Sequence, residues 1–242
     1  MKIIAPCKLI QPEDQLASYQ AAVEENPQNE ILSSQAGRSK RSTGHWQKFW
    51  ASGRELTISF MEVLPVDLQQ RIEGLIRQWE PSTNLTFKFD DGVAGDIRIS
   101  ISGNISSSYL GTDALLVASD QPTLKLGIDP AHSAFDATVL HEFGHALGMQ
   151  HEHQHPSANI PWDMPVVYEY YRLHTQWTKE EVDENIFNRI DASTSLKGPY
   201  DKNSIMHYPV PNEFTIGDWE VAPNTRISKL DRRNMRKAYP KP

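Results

Sequence analysis

Along much of the chain, hydrophobic residues recur with the periods of strands and helices. In ELTISF, Leu56, Ile58 and Phe60 share one face by strict alternation, the period of a strand. Three further runs alternate in the same way: Leu85, Phe87 and Phe89; Ile97, Ile99 and Ile101; Leu124, Leu126 and Ile128. Between the first two runs, Leu68, Ile72, Leu75, Ile76 and Trp79 recur at three- and four-residue steps, which predicts an amphipathic helix that Pro81 stops. A second helix is predicted over 135–148, with Phe135, Val139, Leu140, Phe143 and Leu147 on its buried side. A helix-prone stretch from about Pro165 to Arg189 follows, then irregular chain through Tyr208. A last helix opens at Ser228, with Asp231 three residues on in a capping-box variant.

Residues 1–44 break this order. From 11 to 44 Gln, Glu, Ser and Asn dominate, ending in AGRSKRSTG, with little periodicity to support a packed element. We read 1–44 as an N-terminal extension and candidate propeptide. The folded domain is expected over 45–242, beginning near His45 and Trp46. With 38% hydrophobic residues and six Trp, the chain has the material for a core of its own. It needs that core, because a single cysteine, Cys7, excludes both an intrachain disulfide and a cysteine-based zinc knuckle. The net charge of -7 argues against a nucleic-acid partner, which calls for a basic stripe. Arg38, Lys40 and Arg41, and Arg232, Arg233, Arg236 and Lys237, are short clusters that read as solvated faces or processing joints. The apolar stretch before Pro6 is far shorter than the core of an export signal, and no run is long enough to span a bilayer, so no membrane partner is expected.

The chemistry is concentrated in HEFGHALGMQHEH. His141 and His145, four residues apart on a helix, present two imidazoles on one face to one ion. Glu142, beside the first histidine, is placed to take a proton from a metal-activated water. Gly148 allows the helix to end in a left-handed turn, which brings His151 back as a third nitrogen ligand. Three histidines with an open position are the pattern of a catalytic rather than a structural zinc site. His153 and His155 extend the histidine run and offer substitute third ligands. The glycine turn favours His151, and we place the other two in an exposed loop.

HEFGHALGMQHE, together with SIMHY at 204–208, resembles the astacin family of metzincin zinc peptidases, whose patterns are HExxHxxGxxHE and SxMHY. The likeness runs from about Trp46 to Tyr239 and is nearest to compact, disulfide-free microbial members. It implies an α+β fold: a twisted mixed sheet with helices in an upper lobe, an irregular lower lobe with a methionine turn and C-terminal helix, and a cleft between them. It implies a hydrolase, a monomeric zinc endopeptidase with one Zn2+, acting on protein or peptide substrates laid along a sheet edge, for which Leu124–Ile128 is the candidate strand. Met206 would floor the zinc site. Tyr208 would be the switching tyrosine, ligating zinc at rest and then donating to the oxyanion, and Glu152 the carboxylate that meets a processed amino terminus. The alternative is a catalytically silent zinc-binding module of the same fold, against which the intact Glu142 argues. Cys7 is the candidate latency ligand of a zymogen, as in the cysteine-switch propeptides of related metzincins, with an activating protease cutting near Arg38 to Arg41. Relatives act mostly outside cells.

Overall fold

The computed structural model describes residues 7–30, 47–90, 95–190 and 198–242. Strands β1 (Lys8–Ile10), β2 (Glu55–Phe60), β3 (Thr86–Phe89), β4 (Ile97–Ser100), β5 (Ser107–Tyr109) and β6 (Leu124–Lys125) form a single sheet in the order β1-β5-β6-β4-β2-β3. All neighbours are parallel except β5 and β6. The alternating residues read from the sequence point into one core, where Leu56, Ile58, Phe87, Ile97, Ile99 and Leu124 meet α2 (Val66–Ile76) and α3 (Phe135–Ala146). Trp79 lies in a 3-10 turn just beyond α2 and donates its indole N–H to the Leu140 carbonyl at 3.2 Å, which fixes α3 against the sheet's helical cover.

Below the sheet, α4 (Met164–His174), α5 (Lys179–Val182), a single π-helical turn (Asp183–Phe187) and irregular chain enclose a second cluster. It contains Val167, Tyr171, Trp177, Val210 and Phe214, and it also holds Cys7 and Tyr208. The last helix, α6 (Lys229–Ala238), returns to the first core through Met235, with Tyr239 just past its end in the same core, and Ser228 with Asp231 completes the expected capping box. No helix among the described residues is long and apolar enough to cross a membrane.

Two expectations change. Leu124–Ile128 does not form the free edge: β6 is flanked by β4 and β5, so the edge nearest the lower lobe is β5, and β1 covers it. The extension, in turn, contains packed elements. Besides β1 it forms α1 (Gln15–Glu25), which buries only the small side chains Ser18 and Ala22, a contact face that hydrophobic periodicity does not register. Polar bonds do the fastening. Ser18 donates to Asp113, which also holds Lys48 in a buried ion pair at 2.5 Å. The Asn29 amide donates to the Phe49 carbonyl at 2.8 Å and accepts the Phe49 N–H at 3.0 Å, while Glu25 accepts from Arg54 at 2.8 Å. His45, Trp46 and the basic tract Arg38 to Arg41 lie outside the described residues.

Candidate active site

α3 carries His141, Glu142 and His145 on consecutive turns of its C-terminal half. It ends where the motif requires: the Gly148 N–H bonds to the His145 carbonyl at 2.8 Å and the Met149 N–H to that of Gly144 at 3.0 Å. Gly148 itself sits at φ +87°, with Phe49 so close that a Cβ would meet its ring at 2.7 Å. The chain reverses there and delivers His151. Its Nε2 lies 3.0 Å from that of His145, which in turn lies 3.2 Å from that of His141.

The outer ring nitrogens explain why these atoms face one another. His141 Nδ1 donates to the Ile205 carbonyl at 2.7 Å and His145 Nδ1 to the Met149 carbonyl at 2.6 Å, which places their protons outside and their Nε2 lone pairs inside. Burial holds His141 down at about 4 and keeps His145 and His151 well below the ordinary imidazole range, so all three are neutral donors. Glu142 is fully buried, and burial raises its carboxyl to about 8. Its Oε2 accepts from the Cys7 thiol at 3.1 Å, and its Oε1 has no hydrogen-bond partner among the described residues.

Cys7 joins the three histidines: one donor atom from each of the four residues lies within 4.8 Å of the others. Tyr208 comes from the other side of the cleft, packed face to face on His153 at 4.5 Å and edge-on to His151 at 4.5 Å, and its hydroxyl donates to the Cys7 carbonyl. Met206 is fully buried beneath α3, where a methyl on Gly144 would strike its Sδ.

Residues 42–239 match the family model described as Astacin, a peptidase family. The chain belongs to the astacin family. Astacin-like metalloprotease toxin 5 of Loxosceles gaucho is 32% identical over 167 residues, covering 67% of this chain and 77% of the toxin. Zinc metalloproteinase nas-36 of Caenorhabditis briggsae is 28% identical over 57% of this chain, which spans only 20% of that longer protein. Among solved structures, that of myroilysin superposes with a TM-score of 0.76 at 35% identity, covering 81% of this chain and 97% of that one. The fold is also that of a hatching enzyme zinc-protease from Oryzias latipes, with a TM-score of 0.54 at 20% identity.

The metal of this astacin-family site is zinc, and the donor set fits it. Three imidazoles with inward lone pairs and no proton between them would repel one another without a cation, and a thiol beside them is a fourth donor suited to zinc. Several residues that build the site escaped sequence reading. Asp231 was legible only as a capping residue, yet it is buried and accepts from Ser204 Oγ at 2.6 Å and from the Ile205 N–H at 2.9 Å. It therefore holds the methionine turn whose Ile205 carbonyl aims His141.

His153 and His155 are buried rather than exposed. His153 Nε2 donates to the Asn185 carbonyl at 2.9 Å and its ring supports Tyr208, so it is a wall of the site and stands outside the ligand group. Glu152 is half-buried; burial raises it to about 8, and it accepts the Asp201 N–H at 2.8 Å. The Ile205 and Met149 carbonyls that orient His141 and His145 have no sequence signal, because any residue supplies a carbonyl.

Proposed function

We propose that this protein is a zinc-dependent endopeptidase whose N-terminal extension keeps it latent. His141, His145 and His151 would hold the metal. Zinc, when bound, acidifies a water and polarises a carbonyl. The observation that carries the reading is the placement of Cys7, whose thiol lies beside the three histidines and Glu142 and whose peptide carbonyl accepts from the Tyr208 hydroxyl.

A substrate carbonyl entering at the same place would meet the same donor. Tyr208 keeps its proton, because burial pushes the phenol well above its ordinary value, and a neutral hydroxyl can follow the carbonyl oxygen as negative charge grows on it. Glu142 takes the proton of the attacking water and returns it to the leaving amine, so one carboxylate serves as base and then acid. Its unpartnered Oε1 is the atom free for that exchange. Protein and peptide chains suit the site because β5 offers backbone hydrogen-bonding groups along the cleft, which β1 uses now.

In the latent form Cys7 fills the position that a substrate or water needs. A thiolate is a good zinc ligand, and the strand that follows it closes the β5 edge. Cleavage in the basic tract Arg38 to Arg41 would uncouple the extension from the domain, leaving its removal as the activating event. The test of catalysis is the Glu142→Ala protein, loaded with zinc and given casein. Zinc content should match that of the parent while turnover falls by about 10²- to 10⁴-fold; normal cleavage by the loaded variant would sink the mechanism.

A further inference from the structure

The stretch after Cys7 lies where a substrate would lie, and its first side chain meets a fixed partner. Lys8, one residue from the metal site and paired in register with Ser107 of β5, extends its ammonium to Glu181 Oε1 at 3.0 Å. Glu181 is not a loose surface acid. Its Oε2 accepts the Thr178 N–H at 2.9 Å in the capping box of α5, and its own backbone carbonyl accepts from the Asn185 side chain at 2.8 Å. The Asn185 carbonyl takes the His153 ring N–H at 2.9 Å, so the turn that presents Glu181 is bolted to the wall of the active site. One turn further on, Glu184 accepts from Gln11 at 3.3 Å, again across the same cleft.

Two neighbouring charges are engaged elsewhere: Lys179 lies over the Tyr168 ring at 4.9 Å, and Asp183 accepts from the Tyr168 hydroxyl. Lys8 is the only basic residue of the described part of the extension, and it falls opposite this acid. When the extension leaves, the Glu181 carboxylate, held in its rotamer by Thr178, faces the row of β5 that a substrate occupies.

Resting on the peptidase reading of the site, we propose that Glu181, supported by Glu184, is a specificity subsite that selects lysine or arginine at a substrate residue adjoining the scissile bond. The extension's Lys8 fills it in the latent protein. A preorganised carboxylate rewards a basic side chain and repels an acidic one, and because the pair is partly solvated the discrimination is modest and salt-sensitive.

The full chain is activated by limited trypsin cleavage, trypsin is quenched, and kcat/KM is measured on quenched fluorescent peptides. These differ only in carrying Lys, Gln or Glu at the residues flanking the scissile bond. The parent should prefer Lys over Glu at one flank by roughly fivefold at low salt. Glu181→Gln should flatten that ratio, Glu181→Lys should invert it, and added sodium chloride should shrink it. Equal rates on Lys and Glu peptides, or a preference that survives Glu181→Gln, would overturn the subsite and leave Lys8 and Glu181 as a clamp on the extension. Failure of the activated parent to cut the Gln peptide would instead remove the peptidase reading, and the subsite with it.

Discussion

At the scale of single residues, the site works by denying water to groups that otherwise have it. Burial keeps three histidines neutral, raises Glu142 to about 8 and keeps Tyr208 protonated. For Tyr208 the consequence is measurable. Its ring packs on His153 and His151, and those contacts survive in Tyr208→Phe, so the variant loses only the hydroxyl. In the activated enzyme kcat should fall by about 100-fold with KM little changed, the cost of one oxyanion donor. An unchanged kcat would take the oxyanion role from Tyr208. His153 shows how little of such a wall one sequence can disclose. Its spacing marked it as a spare ligand in an exposed loop, whereas its bond to the Asn185 carbonyl and its stacking under Tyr208 give it a supporting place.

Between elements, the joint that matters is the one linking α6, the methionine turn and α3. Asp231 accepts from Ser204, Ile205 and Ser228, and Ile205 passes the constraint to His141 through its carbonyl. Asp231→Ala would free the turn and leave buried N–H groups unpaired. Zinc affinity should drop by about tenfold or more, measured by chelator competition well below the melting temperature, with partial recovery in Asp231→Asn, which keeps one acceptor oxygen. Unchanged affinity in Asp231→Ala would confine the residue to capping.

The elements differ in how plainly they were written. The alternation of β2, β3 and β4 and the 3.6-residue period of α2 and α3 were legible, because large apolar side chains mark their buried faces. Strand β5, with the sequence SSY, was invisible, since its two serines are buried without adding hydrophobic signal. Helix α1 was hidden for a related reason: Ser18 and Ala22 pack closely without adding hydrophobic signal, and the helix is fastened by asparagine, glutamate and serine bonds that depend on distant residues.

For the molecule as a whole, the extension and the domain form one closed arrangement. α1 and Asn29 grip the chain near Phe49, β1 adds to β5, and beside these anchors Cys7 is held among His141, His145 and His151. Geometry of this kind makes Cys7 more than an incidental buried thiol: burial and the Glu142 carboxylate push its ionisation well up unless a cation takes the charge, and zinc would be that cation. The sequence exposed the donor set because ligand spacing on α3 is local. Cys7 could be named from the sequence only as a candidate, because its contact with Glu142 spans 135 residues of folded chain.

The most direct measurement compares casein hydrolysis by the uncut chain with that of its Cys7→Ala variant, with zinc content determined in both. A latent zinc endopeptidase predicts one zinc per chain in each protein and a clear rise in hydrolysis when the thiol is removed. Equal rates in the two proteins would remove the latch, and failure of either protein to hold zinc would contradict the site itself.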